Sequence, residues 1–151
     1  MSRLLDRQIN SPCLDSLPIS IPLFSTAISA GFPSPADDHL EAHLDLNRYL
    51  IGQPTATFFM RFEGEPMIES GLYQGDLLIV DRSISPVDGK IVVAAINGDL
   101  VVRRLRSNGK SVKLLAENPN CPIICISQDS EFQIWGVITY VIRAMHRPCR
   151  L

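Results

Sequence analysis

The length, composition and charge of the chain fit one compact globular domain. Its 151 residues are 46% hydrophobic and 20% charged, which excludes a disordered chain, and a domain of this size buries about 70% of its unfolded surface without needing disulfides. The formal net charge of −2 provides no basic field for a phosphate backbone, so the composition argues against direct nucleic-acid binding.

The first thirty residues are predicted to form an extended arm. They contain Pro12, Pro18 and Pro22, several serines and no sustained period, with room for one short strand. The apolar run ISIPLFSTAISA is interrupted by proline and follows Asp6 and Asp15, so it lacks the form of a signal peptide. No run approaches the roughly 18 apolar residues that cross a bilayer, and we expect a soluble cytoplasmic protein without a membrane segment.

One short helix is predicted in the segment GFPSPADDHLEAHLDLNRYL, with about three turns or fewer. Ser34 can cap this helix and Pro35 fits its first turn. Leu40 and Leu44 stand four positions apart, so a helix would bring them onto one apolar face.

Seven strand-like runs follow Pro54, namely ATFFMRF, DLLIVD, KIVVAAI, LVVRRLR, VKLLA, IICI and FQIWGVITYVI. The pair Asn97-Gly98 lies between the third and fourth runs and predicts a two-residue hairpin turn, because both residue types tolerate positive φ angles. The predicted fold class is therefore a mostly β domain with an extended N-terminal arm and one short helix.

The fourth run, LVVRRLR, is predicted to place a cation among apolar side chains. Side chains alternate across a strand, so Arg103 should share a face with Val101 and Leu105, while Val102 and Arg104 point the other way. The plain alternative is an arginine at a sheet edge whose stem packs while its charged head reaches water.

Two residue pairs have the spacing of metal ligands, but neither has a suitable further ligand. Cys121 and Cys125 are four positions apart, and so are His39 and His43. We interpret the cysteines as small packing residues and the histidines as a solvated helix face. The sequence therefore predicts no metal site, no cofactor and, with Cys13 and Cys149 also reduced, no disulfide.

Three features follow one another along the chain: the pair Ala30-Gly31, the tight turn GEPMI around Pro66, and the strand that carries Arg103. Together with PLFSTAISAGFPSPADDHLE, LDLNRYLI, GDLLIVD, VVAAINGDLVVRRL and WGVITYVIRAM, they resemble the self-cleaving serine peptidase-like domain (S24) of LexA-type repressors and UmuD-type subunits of translesion polymerases. The resemblance covers nearly the whole chain and is nearest to the UmuD type, because the Pro-broken arm cannot form a helix-turn-helix domain. It implies a LexA/signal-peptidase-like β domain over residues 31–151, preceded by an arm over residues 1–30.

In that family a serine in the tight turn attacks an Ala-Gly or Cys-Gly bond of the protein's own arm, and a lysine on the hairpin strand is the general base. The cleavage pair has its match in Ala30-Gly31, but Pro66 stands at the serine position and Arg103 at the lysine position. Proline has no hydroxyl, and a guanidinium with a pKa above about 12 cannot accept a proton. The resemblance therefore implies a degenerate site, and whether the chain is an enzyme is left open, leaning to no.

Three functional hypotheses follow from the resemblance. The first is a UmuD-like accessory subunit of the SOS response that acts by contacts, as a homodimer or as a heterodimer with an active relative, with a UmuC-type Y-family polymerase and the RecA filament as partners. The second is an active autopeptidase with another nucleophile, such as Ser70. The third is a regulator that titrates other SOS proteins.

The C-terminal region offers two further predictions. The last strand, residues 132–142, is apolar on both faces, as expected either for a dimer contact or for a wholly internal strand. The basic tail that contains Arg143, His146, Arg147 and Arg150 is interpreted as either a contact for nucleic acid or polymerase, or a solvated and frayed terminus.

Overall fold

The computed structural model describes residues 9–10, 17–24 and 40–146, which belong to two compact units. One unit comprises Met1–Pro12 with Gln53–Leu151, and the other comprises Cys13–Gly52. In chain order the elements are β1 (Ile9–Asn10), β2 (Ile21–Phe24), β3 (Leu40–Leu44), α1 (Leu46–Leu50), β4 (Thr57–Arg61), β5 (Leu77–Asp81), β6 (Ile91–Ile96), β7 (Asp99–Ser107), β8 (Val112–Leu115), β9 (Ile124–Ile126) and β10 (Phe132–Ile142).

The larger unit is built on one antiparallel sheet of eight strands, in the order β1-β4-β5-β10-β6-β7-β8-β9. The seven strands predicted after Pro54 are confirmed as β4 to β10, and with the single short helix they confirm the mostly β fold class. The hairpin is confirmed as well: Ile96 pairs with Asp99, and the intervening Asn97 and Gly98 have φ angles of 48° and 89°.

The sheet is apolar on both faces, because alternate residues of its central strands enter two different hydrophobic clusters. The first cluster contains Phe58, Met60, Phe62, Met67, Leu72, Leu78, Val80, Val93 and Val102. The second contains Val92, Ala94, Ile96, Leu105, Leu114 and Val137. Since Val102 belongs to one cluster and Leu105 to the other, the predicted alternation along β7 is confirmed.

The longest strand, β10, lies between β5 and β6 and is therefore internal to the sheet. This position accounts for its two apolar faces, because Val137 is part of the second cluster while Trp135 and Ile138 pack against the first. The strand pairing shifts register near Gly136, where a Cβ atom would lie only 2.7 Å from Cγ1 of Val80 and 3.0 Å from the backbone oxygen of Asp81. Glycine is needed here because the neighbouring strand approaches so closely.

The smaller unit pairs β2 with β3 and continues into α1. Our prediction of a helix carrying Leu40 and Leu44 was wrong, because these residues bound a strand in which Leu44 pairs with Ile21. A separation of four is also an even number, so the same leucine spacing fits the alternation of a strand. The helix starts later, after Asp45, whose Oδ1 accepts a hydrogen bond from the backbone N–H of Asn47 at 2.9 Å.

Several sequence predictions fall on this part of the chain. His43 lies on β3, so its interpretation as part of a helix face was also wrong, whereas Ser34, Pro35 and His39 lie outside the described residues. The arm contributes two short strands, since Ile9–Asn10 pairs with β4 and Ile21–Phe24 pairs with β3. Within the described ranges, no helix has the length and apolar character that crossing a membrane requires.

Candidate functional site

The site begins with the Pro66 turn, residues 64–71, which connects β4 to β5. Its two ends are set by glycines in left-handed conformations, Gly64 at φ 85° and Gly71 at φ 80°. Between them Met67 is fully buried in the first hydrophobic cluster and anchors the turn to the sheet. The peptide unit at Pro66 is thereby held in a fixed position relative to the strands.

A second segment, residues 117–121, holds the Pro66 turn from outside. The backbone N–H of Glu117 donates to the carbonyl oxygen of Pro66 at 2.8 Å, and the N–H of Glu69 donates to the carbonyl oxygen of Glu117 at 2.9 Å. The side-chain amide of Asn118 donates to the carbonyl oxygen of Glu65 at 2.7 Å. These three hydrogen bonds satisfy backbone groups that a sharp turn leaves free, and they rigidify it.

Pro66 and Arg103 line the same cavity, which we call the Arg103 pocket and which has a volume of about 300 Å³. Apolar walls come from Met60 and Phe62 of the first hydrophobic cluster. The structure thus brings together the two residues that the sequence placed at the positions of a serine nucleophile and its lysine base. Their identity with those positions stays a prediction.

Arg103 is partly buried, and its guanidinium is incompletely bonded. Nη1 donates to the carbonyl oxygen of Val102 at 2.8 Å, whereas Nε is buried and has no hydrogen-bond partner among the described residues. Burial lowers the pKa of Arg103, and an electrostatic interaction with Cys121 partly opposes this effect. A guanidinium nevertheless stays protonated in proteins, so this side chain supplies a cation and not a base.

Ser70 is directed to a different group of residues. Nη2 of Arg104 donates to its Oγ at 3.4 Å, and Arg104 also forms an ion pair with Glu117 and donates from Nη1 to the carbonyl oxygen of Gly89 at 2.7 Å. The hydrogen bond from Arg104 to Glu117 raises the pKa of Arg104. Ser70 does not line the Arg103 pocket, and its observed partner is a proton donor rather than a base.

An ion pair that sequence reasoning missed joins the buried Asp76 to the exposed Arg143 at the Gly71 end of the Pro66 turn. Asp76 is only 2% exposed and accepts bidentate hydrogen bonds from Arg143, at 2.7 Å from Nε and 2.5 Å from Nη2. Nη2 of Arg143 also donates to the carbonyl oxygen of Gly71 at 2.6 Å, and its guanidinium lies 4.4 Å from the ring centre of Tyr73. The two hydrogen bonds from Arg143 hold the pKa of Asp76 below its ordinary value.

This ion pair corrects the interpretation of Arg143 as part of a frayed basic tail, because the residue ties the end of β10 to the turn. The remaining predictions for the ends of the chain are not tested: Ala30-Gly31, Cys13, Cys149, Arg147 and Arg150 lie outside the described residues. Cys121 and Cys125 are free thiols, and the described part of the chain contains no group of three or more His, Cys, Asp or Glu arranged to hold a metal.

Comparison with known proteins gives consistent matches. The family model described as Peptidase S24-like matches residues 22–139. The chain is 46% identical over 121 residues to the protein SamA of Salmonella typhimurium, covering 80% of this chain and 84% of SamA. It is 44% identical over 129 residues to the protein ImpA of Salmonella typhimurium, covering 80% and 82% of the two chains. It is 34% identical over 139 residues to the LexA repressor of Bordetella avium, covering 90% of this chain and 64% of the repressor.

Proposed function

Because the chain belongs to the Peptidase S24-like family, we propose that it is a UmuD-type accessory subunit that serves error-prone translesion synthesis in the SOS response through protein contacts. The family match and the similarity to SamA, ImpA and a LexA repressor support this assignment. The observation that supports the second half of the proposal is that Pro66 and Arg103 line one pocket. The family resemblance implies a serine and a neutral lysine at these two positions.

The chemistry of the two residues explains why contacts, not cleavage, form the proposed activity. Pro66 has no hydroxyl to attack an amide, and removal of a nucleophile from a serine peptidase costs on the order of 10⁶ in rate. It also has no N–H, and loss of a single oxyanion donor costs on the order of 10²–10³. Arg103 stays charged even though burial lowers its pKa, so it cannot accept the proton that a nucleophile must lose.

The turn in this site is held by a buried side chain and by hydrogen bonds, which suits a subunit that binds partners. The Pro66 turn keeps its buried anchor at Met67 and its three hydrogen bonds to residues 117–121. The partners of the proposal are a second copy of the chain or an active relative, a UmuC-type Y-family polymerase and the RecA filament. In a heterodimer the bond between Ala30 and Gly31 would be available for cutting by the active relative.

Incubation of the purified chain with activated RecA, alone and together with an active homologue, tests this proposal. The expected result of this incubation is no cleavage of the chain alone. In a separate experiment, we expect the chain to co-purify with a Y-family polymerase. Mass-spectrometric detection of cleavage between Ala30 and Gly31 in the pure protein would contradict the inactive site. Binding to other SOS proteins in the absence of any polymerase contact would instead favour the regulator that titrates them.

The alternative of an active autopeptidase makes a separate prediction. Ser70 is the alternative nucleophile, yet its Oγ accepts a hydrogen bond from the cation Arg104. If the chain does cleave itself, a Ser70→Ala variant that is processed at the same rate excludes this serine as the nucleophile.

A further inference from the structure

Arg103 differs from Arg104 and Arg106 of β7, and from Arg143 just after β10, in having no carboxylate partner. Arg104 pairs with Glu117, Arg106 with Asp88 and Arg143 with Asp76. No carboxylate lies within ion-pair distance of Arg103 in residues 40–146 or in the other described segments. A partly buried cation without a counter-charge is unfavourable, because water no longer solvates it fully.

The guanidinium of Arg103 still has donors to offer. Nη1 is bonded to the carbonyl oxygen of Val102, and Nε is buried without a partner. Nη2 is neither bonded to a described residue nor among the buried unbonded atoms, so it has accessible surface, and Arg103 is one of the residues that line the pocket. An end-on carboxylate accepts hydrogen bonds from the two terminal nitrogens of an arginine, with the planar geometry that suits both groups.

The surroundings of Arg103 favour an anion on an apolar stem. The pocket has a volume of about 300 Å³, at the lower limit for small-molecule sites, and Met60, Phe62 and Leu100 give it apolar walls. Its charged lining consists of Arg61 and Arg103 against Glu63, so it carries one net positive charge. An uncharged peptide segment would fill the volume but leave Arg103 without a counter-ion.

We propose that the Arg103 pocket binds a carboxylate carried on a short apolar chain, with Arg103 as the group that recognises the anion. Such a carboxylate has two sources, a free small acid or the C-terminal residue of a peptide. The inference stands on the geometry of the pocket and holds whether or not the chain serves translesion synthesis.

Titration of the purified chain with matched acids and amides tests the proposal. The small-molecule probes are 4-methylpentanoate and 4-methylpentanamide, and the peptide probes are Ac-Ala-Val-Ala-Leu with a free or an amidated C-terminus. Binding is measured by calorimetry and by backbone amide shifts in NMR spectra. We expect the acid of at least one pair to bind about tenfold or more tightly than its amide. Binding of the small acid identifies a free metabolite as the source, and binding of the peptide acid alone identifies a peptide terminus.

Two variants and one NMR signal of Arg103 decide whether this residue binds the carboxylate. Arg103→Gln should weaken binding of the acid about tenfold or more, whereas Arg106→Gln, on the same strand but outside the pocket, should leave it unchanged. In the unmodified protein the Nε–H resonance of Arg103 should shift with the acid and not with the amide, a readout that does not depend on how the variant folds.

Three results would overturn the carboxylate site: equal affinity for acid and amide in both pairs, no binding in either pair, or full affinity in a folded Arg103→Gln variant. Because the titrations contain no RecA, DNA or polymerase, none of these results bears on the proposed role in the SOS response. Conversely, an experiment that contradicts the proposed role in the SOS response leaves the ratio of the affinities for acid and amide unaffected.

Discussion

At the scale of single residues, the consecutive arginines of β7 show how much a cation depends on its partners. Arg104 is bonded to Glu117, Gly89 and Ser70, whereas the partly buried Arg103 has the carbonyl oxygen of Val102 as its one hydrogen-bond partner among the described residues. Removal of a cation that has a counter-charge leaves a carboxylate and other acceptors unsatisfied, whereas removal of Arg103 leaves one carbonyl oxygen without its donor and no carboxylate unpaired. The two positions should therefore differ in how strongly the same substitution destabilises the protein.

We expect Arg104→Met to lower the free energy of unfolding by about 2 kcal/mol, because Glu117 and the carbonyl oxygen of Gly89 lose their donor. Arg103→Met should stay within about 0.5 kcal/mol of the parent or exceed it, because it removes a charge that has no counter-ion. Urea unfolding at neutral pH measures the free energy of unfolding of both variants. Equal destabilisation by the two substitutions would contradict the interpretation of Arg103 as an uncompensated cation.

Introducing an alcohol at position 66 and an amine at position 103 tests whether the pocket can support peptide cleavage. We expect Pro66→Ser with Arg103→Lys to cleave between Ala30 and Gly31 in the presence of activated RecA, because the burial that lowers the pKa of Arg103 would also lower that of a lysine there. Either change alone should give no product above background, since nucleophile and base act as a unit. Product formation is measured by mass spectrometry.

The matched control for this rescue is Ser70→Ala in the doubly substituted chain, which should leave cleavage unchanged because Ser70 lies outside the pocket. A doubly substituted protein that folds but stays uncut would contradict this prediction and would show that the backbone of the Pro66 turn does not fit the chemistry.

At the scale of secondary-structure elements, the sequence predicted those parts whose signal is local. The seven strands and the Asn97-Gly98 hairpin follow from short-range alternation and from one pair of residues that accepts positive φ, and both are confirmed. The helix was misplaced because a leucine spacing of four fits either period, and the pairing of Leu44 with Ile21 decided in favour of a strand. That pairing joins residues more than twenty positions apart, so no local pattern contains it.

The internal strand β10 gives a prediction of its own at Gly136. A methyl group there would meet Val80 and the backbone of Asp81, and backbone atoms cannot move aside as a flexible side chain can. We expect Gly136→Ala to lower the free energy of unfolding by about 1–3 kcal/mol, as overpacking in a core does. Gln133→Ala, at an exposed position of the same strand, is the control and should change it by less than about 0.5 kcal/mol. Equal effects in thermal or urea unfolding would argue against a close approach at Gly136.

At the scale of the larger unit, the candidate site depends on contacts that join distant parts of the chain. The Pro66 turn is held by Glu117 and Asn118, and the end of β10 is held by the pair of Asp76 with Arg143. Resemblance to a known family could indicate Pro66 and Arg103 as candidates, because each lies in a short local motif. It could not indicate the Asp76 pair, because a single aspartate before a strand and a single arginine after another carry no spacing signal.

The Asp76–Arg143 pair predicts how the stability of this unit depends on pH. The hydrogen bonds from Arg143 place the pKa of Asp76 below its ordinary value, so the stabilisation is fully present above about pH 4, the pKa in an unfolded chain, and is lost as the pH falls through the lower folded value. We expect Asp76→Asn to cost about 2 kcal/mol at neutral pH and to flatten the loss of stability in acid, because the ionised partner is then absent at every pH. The control is Asp88→Asn, in the exposed pair with Arg106, which should change the free energy of unfolding little at neutral or acidic pH. Urea unfolding across the acidic range measures both variants, and an unchanged acid dependence in Asp76→Asn would contradict the assignment of this titration to Asp76.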